Sequence, residues 1–341
     1  MTRRVALPVA GGLVSLAALL ADGNRFHRAW LVGFWFWGGI SFGAIFVLCL
    51  HHLTGGRWSR LLRGPLEASA AALPLVAGLA LPVAFGLDRV YEWSRPEAIR
   101  ADPRLATLAA GWLSVPFFRA RATAYFALWL ALAWLLLART TGDERRRTAS
   151  APGLIALFLT GTLFSVDWVM SLEPHWWSSA FGVVQMAGMG VSALSLALAS
   201  AWRAPMGRQD RIDLGNVLLA FVLFWIYVSF MQYLVVWSGN LPEEATWFLR
   251  RTRGGWGALA VGLLAVHFAL PFALLLSRDV KGDPRWLGGI ATGLFVVHFA
   301  EVAWTILPSF GQGFGWVDAA VPLAMDGLWA GPYFHRLEGR P

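Results

Sequence analysis

The chain has 341 residues, 57% of them hydrophobic and only 14% charged, with a formal net charge of +8. A water-soluble domain carries about 25% charged residues, so the soluble classes are excluded, and the basic residues are scattered and form no stripe that would bind nucleic acid. The single cysteine, Cys49, excludes a disulfide framework, a CxxCH haem attachment and a Cys-rich cluster site.

Apolar runs of about 18 residues or more recur along the whole length, which predicts an all-α polytopic membrane protein. About ten transmembrane helices are expected, at 5–21, 29–50, 66–90, 120–137, 152–171, 178–202, 214–237, 255–276, 286–307 and 317–334. The first follows Arg3 and Arg4 and ends in small residues near Ala21, a pattern shared with cleaved signal peptides. Spans two to five (29–171) and six to nine (178–307) divide into two four-helix bundles, flanked by the first and last helices, in a single membrane domain over 1–341. Linkers are short except 91–119, which holds Pro96 and Pro103 and is expected on the outer surface.

A cytoplasmic N-terminus puts Arg57, Arg60, Arg63, Arg139, Arg145, Arg146, Arg147, Arg203, Arg208, Arg211, Arg278, Lys281 and Arg285 inside, together with Arg3, Arg4, Arg336 and Arg340. That satisfies the positive-inside rule and predicts both termini in the cytoplasm of a bacterial inner membrane. Trp168, Trp176, Trp177, Trp237 and Trp247 then fall at the outer interface, where an indole's apolar body and single N–H donor suit the headgroup boundary.

Ionisable groups inside a span cost about 2.5–3.5 kcal/mol on insertion scales and require a partner or a purpose. Asp167 on span five, and His298 with Glu301 at i, i+3 on span nine followed by Thr305, lie in the outer half of the membrane by their distance from the span ends. His267 on span eight lies nearer the inner side. These four are candidates for a proton path. Gln185, Ser229 and Gln232, with Trp225 in register, offer a polar pocket or helix-to-helix hydrogen bonds, and His175 adds an imidazole at the outer turn. No ligand spacing predicts a metal site, and no cofactor is expected to reside in this chain.

Three ordered runs, DWVMSLEPHW (167–176), QYLVVWSGNLPEE (232–244) and HFALPFALLLSRDVK (267–281), resemble the membrane subunit of alternative complex III, of the quinone-binding subunit 2 type. That subunit belongs to the polysulfide-reductase membrane-subunit superfamily (NrfD/PsrC-like). The resemblance implies a cofactor-free subunit of a bacterial quinol:cytochrome c oxidoreductase. It would adjoin iron–sulfur and multihaem cytochrome subunits and a sister membrane subunit, with quinone or quinol as a possible ligand near His175, Gln185, Ser229 and Gln232. The competing expectations are a non-catalytic scaffold and a secondary transporter, the latter requiring paired broken helices at mid-membrane.

Overall fold

The computed structural model describes residues 3–56, 58–138 and 140–338, without the side chains of 3–9, 59 and 60. Of the basic residues that orient the spans, Arg57, Arg139 and Arg340 and the side chains of Arg3, Arg4 and Arg60 lie outside the described residues. The described residues contain no strand. The long helices are α1 (Arg3–Ala21), α2 (Gly23–Thr54), α3 (Leu61–Phe85), α4 (Val115–Leu137), α5 (Asp143–Leu172), α6 (Phe181–Ala201), α7 (Arg208–Gly239), α8 (Gly255–Leu276), α9 (Pro284–Phe310) and α10 (Trp316–Glu338).

Among the described residues eight helices, α2 to α9, are long and apolar enough to cross a membrane, and the chain is a multi-pass membrane protein. Ten had been expected. In α1 the described apolar stretch is Ala10–Ala21, and α10 is interrupted by Asp318, Pro322, Asp326 and Pro332. These two helices pack on each other, and α10 also packs on α2.

The centre is the α2–α6 pair. In each, 89% of the most apolar window is buried, against 22% in α8 and 33% in α7, so α7 and α8 face lipid over most of their surface. Helix α2 packs against α3, α5, α6, α9 and α10, and α6 against α5, α7 and α9. Glycine makes the central contact possible: a methyl group at Gly43 of α2 would overlap the Met189 carbonyl of α6. Without a hydrophobic driving force between helices in lipid, such close backbone approach supplies the packing.

Helix α3 is divided at Pro74 and Pro82 into three short segments. In α8, residues Leu264–Ala269 form a π turn just before Pro271. Proline has no N–H for the carbonyl four residues back, here that of His267, and a wide turn accommodates the lost bond.

Residues 91–114 fold into the 3-10 turn Glu92–Ser94 and the short helices Pro96–Ala101 and Pro103–Ala110. Prolines at their first positions suit helix starts, and Asp102 caps the second by accepting from the N–H groups of Arg104 and Leu105. This segment, the turn after α5, the start of α2 and the end of α9 meet around one cavity, at the loop-rich end of the protein.

The tryptophans at this end divide into two kinds. Trp177 and Trp237 are exposed, as an interfacial belt requires, whereas Trp168, Trp176 and Trp247 are buried. Trp176 and Trp247 stack 5.1 Å apart, and the Trp176 indole donates to the Glu244 carbonyl, tying the turn after α5 to the α7–α8 connection. The interfacial expectation for those three is therefore corrected: they are core residues at the loop-rich end.

Candidate functional site

Glu301 is the hub of a buried cluster between α7, α8 and α9. Its Oε2 lies 2.8 Å from Nδ1 of His298, one turn earlier on α9, and 3.4 Å from Nδ1 of His267 on α8. Its Oε1 accepts a 2.7 Å hydrogen bond from the Trp225 indole of α7. The Trp225 and His267 rings stand 4.2 Å apart and the two imidazoles 6.0 Å apart. His267 is fully buried, and neither ring nitrogen has hydrogen-bond geometry to any partner. An unsatisfied buried polar group costs about 1–3 kcal/mol. Opposite, Gly188 of α6 leaves room for the His298 ring, since a Cβ there would sit 3.0 Å from its Cε1.

The sequence placed His267 and His298 at different heights, and the structure corrects this. Helix α9 runs on through a 3-10 turn to Phe310, so Glu301 lies about 14 Å from that end at 1.5 Å per residue. His267 is about 18 Å from the start of α8 by the same measure. Counting the two from opposite ends of the membrane had exaggerated their separation.

A cavity of about 160 Å³ opens beside Glu301, lined mainly by apolar side chains together with Gln185, Ser229, Gln232 and Thr305. The three polar pocket candidates thus share one space. Gln185 also accepts from the Trp35 indole of α2, and Gln232 from the Ser178 hydroxyl.

The other two candidates lie elsewhere. Asp167 is buried and accepts four hydrogen bonds: two at 2.9 Å from Arg121, one at 2.7 Å from Trp112 and one at 3.1 Å from Tyr125. The Arg121 guanidinium lies in the corner of the T-shaped Trp112–Phe117 pair, 4.0 and 4.2 Å from the ring centres. Every acceptor direction of Asp167 is occupied, which makes it a brace between α4, α5 and the 91–114 segment. His175 is more than half exposed and bonds Asp102 at 2.7 Å, so it lies outside the membrane pocket where it had been expected. Contact with surrounding protein raises the Asp102 carboxyl, but the N–H groups of Arg104 and Leu105 and the charge of His175 outweigh that and leave it below its ordinary range.

Two further buried ion pairs escaped the sequence reading. Glu173 accepts from Arg251 at 2.8 Å and from the Ser309 hydroxyl at 2.8 Å. Arg251 also donates to the Thr305 and Trp247 carbonyls and lies over the Trp247 ring. Burial lowers Arg251 to about 10, with Glu173 acting in the opposite direction. Arg28 forks onto Asp318 with bonds of 3.0 and 2.8 Å and donates to Gln312 and the Gly313 carbonyl. Sequence reasoning gives these arginines no partner, because Asp318 lies 290 residues from Arg28 and Glu173 lies 78 from Arg251.

Arg28 also lines a polar cavity of about 650 Å³ at the loop-rich end. Its walls carry Arg25, Arg89 and Arg95 and the carboxylates Asp22, Asp88, Glu92 and Glu97. Arg95 donates to the Asp88 carbonyl and has no carboxylate within ion-pair distance among the described residues. The Asp88 carboxylate is 59% exposed and its one ion-pair contact, to Arg89, is 3.7 Å long.

No protein-family model matches the chain. It is 30% identical over 278 residues to a polyprenol-phosphate-mannose-dependent alpha-(1-2)-phosphatidylinositol pentamannoside mannosyltransferase of Mycolicibacterium smegmatis. The match covers 78% of this chain and 58% of that protein, so the chain spans less than two thirds of its relative's length. This finding corrects the resemblance to alternative complex III. The protein matched is a mannosyltransferase, not a respiratory subunit, and with the resemblance go its quinol oxidation, its quinone ligand and its iron–sulfur, cytochrome and sister-subunit partners. The short runs behind it combine apolar residues with a proline, and the first two add tryptophans, features that the ends of membrane spans commonly carry. What stands beside the match is a multi-pass helical protein with a basic and acidic basin at one end.

Proposed function

We propose that the chain is a membrane glycosyltransferase that takes a sugar from a polyprenol phosphate in the basin at the loop-rich end. The observation that carries this reading is the composition of that basin: arginines with spare charge opposite exposed carboxylates, at the membrane boundary. An arginine's planar fork suits phosphate oxygens, and Arg89 and Arg95 are the ones with charge to offer. Asp88 is the general base. It takes the proton of the acceptor hydroxyl as that oxygen bonds to the sugar's anomeric carbon. The anomeric carbon–oxygen bond to phosphate breaks, its electron pair leaves on the phosphate, and the phosphate stays on the lipid. Arg89 and Arg95 neutralise the charge gained.

The arginine bias supports an outward-facing basin and cytoplasmic termini in a bacterial inner membrane. The packing of α4 on α3 and α5, and of α8 on α7 and α9, supports reading α2–α5 and α6–α9 as two bundles. The activity is tested with purified protein in nanodiscs, radiolabelled polyprenol-phosphate mannose and a phosphatidylinositol mannoside acceptor. Wild-type protein should release or transfer the sugar. D88N should lower the rate about 10²–10⁴-fold, and R95A should raise the donor KM. A wild-type protein that neither binds nor turns over the donor overturns the reading.

A further inference from the structure

We propose that His267, His298 and Glu301 bind one divalent transition-metal ion of the zinc or ferrous class. The site is separate from the basin and does not depend on the glycosyl-transfer reading.

Two imidazoles and one carboxylate, drawn from α8 and α9, bring their ligand atoms within 4.8 Å of one another. A four-coordinate zinc with bonds of about 2.0–2.1 Å separates its ligand atoms by about 3.3 Å. The 3.4 Å between His267 Nδ1 and Glu301 Oε2 already meets that, and the 2.8 Å between His298 Nδ1 and the same oxygen opens to it through a small side-chain adjustment. The donor set is the one zinc hydrolases and non-haem ferrous sites use: borderline nitrogen with a single carboxylate and no thiolate.

Two independent features point to a ligand. The first is His267 itself, fully buried, with neither nitrogen hydrogen-bonded among the described residues and Nδ1 standing 3.4 Å from Glu301 Oε2. A lone pair directed at a metal gives that nitrogen a partner. The second is the hold on Glu301: the Trp225 indole fixes Oε1, leaving Oε2 alone to face both imidazoles. Outer hydrogen bonds of this kind set the orientation of metal-binding carboxylates. Neutral imidazoles and one carboxylate leave a bound divalent ion with one positive charge. The adjoining cavity of about 160 Å³ gives room for a water, hydroxide or other oxygen ligand in the fourth position.

The test uses full-length protein carrying an affinity tag without histidines, purified from membranes, stripped with a chelator and reloaded with cobalt(II). Metal analysis of the unstripped protein should find about one transition-metal ion per chain. The cobalt form should absorb between about 500 and 650 nm, as tetrahedral or five-coordinate sites do. E301Q and H298Q should abolish the absorption, and W225F should weaken affinity about 10–100-fold while leaving the ligands in place. W225F keeps the proposal testable if the ligand variants fail to fold. Less than a tenth of an ion per folded wild-type chain, with no cobalt absorption after loading, overturns the proposal. So does undiminished metal in a folded E301Q or H298Q variant, and so does unchanged affinity in W225F.

Discussion

Replacing Arg121 by alanine should be among the most damaging single changes at the loop-rich end. The substitution removes two charge-assisted hydrogen bonds of 2.9 Å from Asp167 and takes a guanidinium away from the rings of Trp112 and Phe117. Breaking a buried ion pair from one side costs about 3–5 kcal/mol because the remaining charge stays buried. Asp167 is only 1% exposed. Trp112 and Tyr125 still donate to the carboxylate, which argues against the top of that range, while the lost cation–π contacts add about 0.5–2 kcal/mol. A net loss of about 4 kcal/mol follows. At about 2 °C per kcal/mol, a conservative rate for a chain this size, R121A should melt about 8 °C below wild type. The measurement is tryptophan fluorescence on heating in one detergent, with R121M/D167L alongside. The double variant removes both charges and should recover more than half of the loss, since an apolar pair replaces a buried ionic one with little penalty. An R121A protein melting within about 1 °C of wild type would refute the brace, and a double variant as unstable as R121A would refute the isolated-charge explanation.

G43A should destabilise by about 1–3 kcal/mol by forcing α2 away from α6, read as a lower melting temperature, whereas alanine at Gly12, where a Cβ meets nothing, should change little. E173Q should lower the melting temperature by several degrees by leaving Arg251 buried without its counter-charge, and E173L/R251L should restore part of it. The Asp102 carboxyl, held below its ordinary 3.8, stabilises the folded state above that pH. The contribution disappears as pH falls through the depressed value, because protonation then favours the unfolded chain. Protection of the amides across 96–111, corrected for the pH dependence of intrinsic exchange, should therefore fall below about pH 4 in wild type, while D102N should show the lower protection at every pH.

The elements were legible because lipid imposes a length. Eight apolar runs of membrane-spanning size coincide with α2–α9, and the i, i+3 spacing of His298 and Glu301 fixed their shared face through local helix geometry alone. Relations between helices were not legible. Hydropathy locates a span to within a few residues but sets neither its rotation nor its height against a neighbour, so His267 was assigned to the wrong depth. Arg28, Arg121 and Arg251 were counted as topology signals because a charge near a span end reads the same whether it faces water or folds inward. Asp167 was recognised as costly, but its partners, Arg121 and Tyr125 on α4 and Trp112 just before it, depended on how α4 is set and rotated against α5, which no local pattern supplies. The same limit applies to the three short motifs: apolar span ends with a proline, two of the three with tryptophans, look alike in unrelated membrane chains.

The wide turn in α8 also sets which side of that helix meets lipid. Leu263, His267, Pro271 and Leu275 are all buried, spaced every four residues. In a regular α-helix that spacing drifts about 40° per step, or about 120° over the three steps, enough to carry Leu275 out toward the acyl chains. One π turn absorbs an extra residue and takes back about 100°, so the stripe stays in phase. Pro271 is thus a timing device. Exchanging it for alanine would permit a regular helix and rotate one half of α8 against the other, presenting either the imidazole or Leu275 to the hydrocarbon.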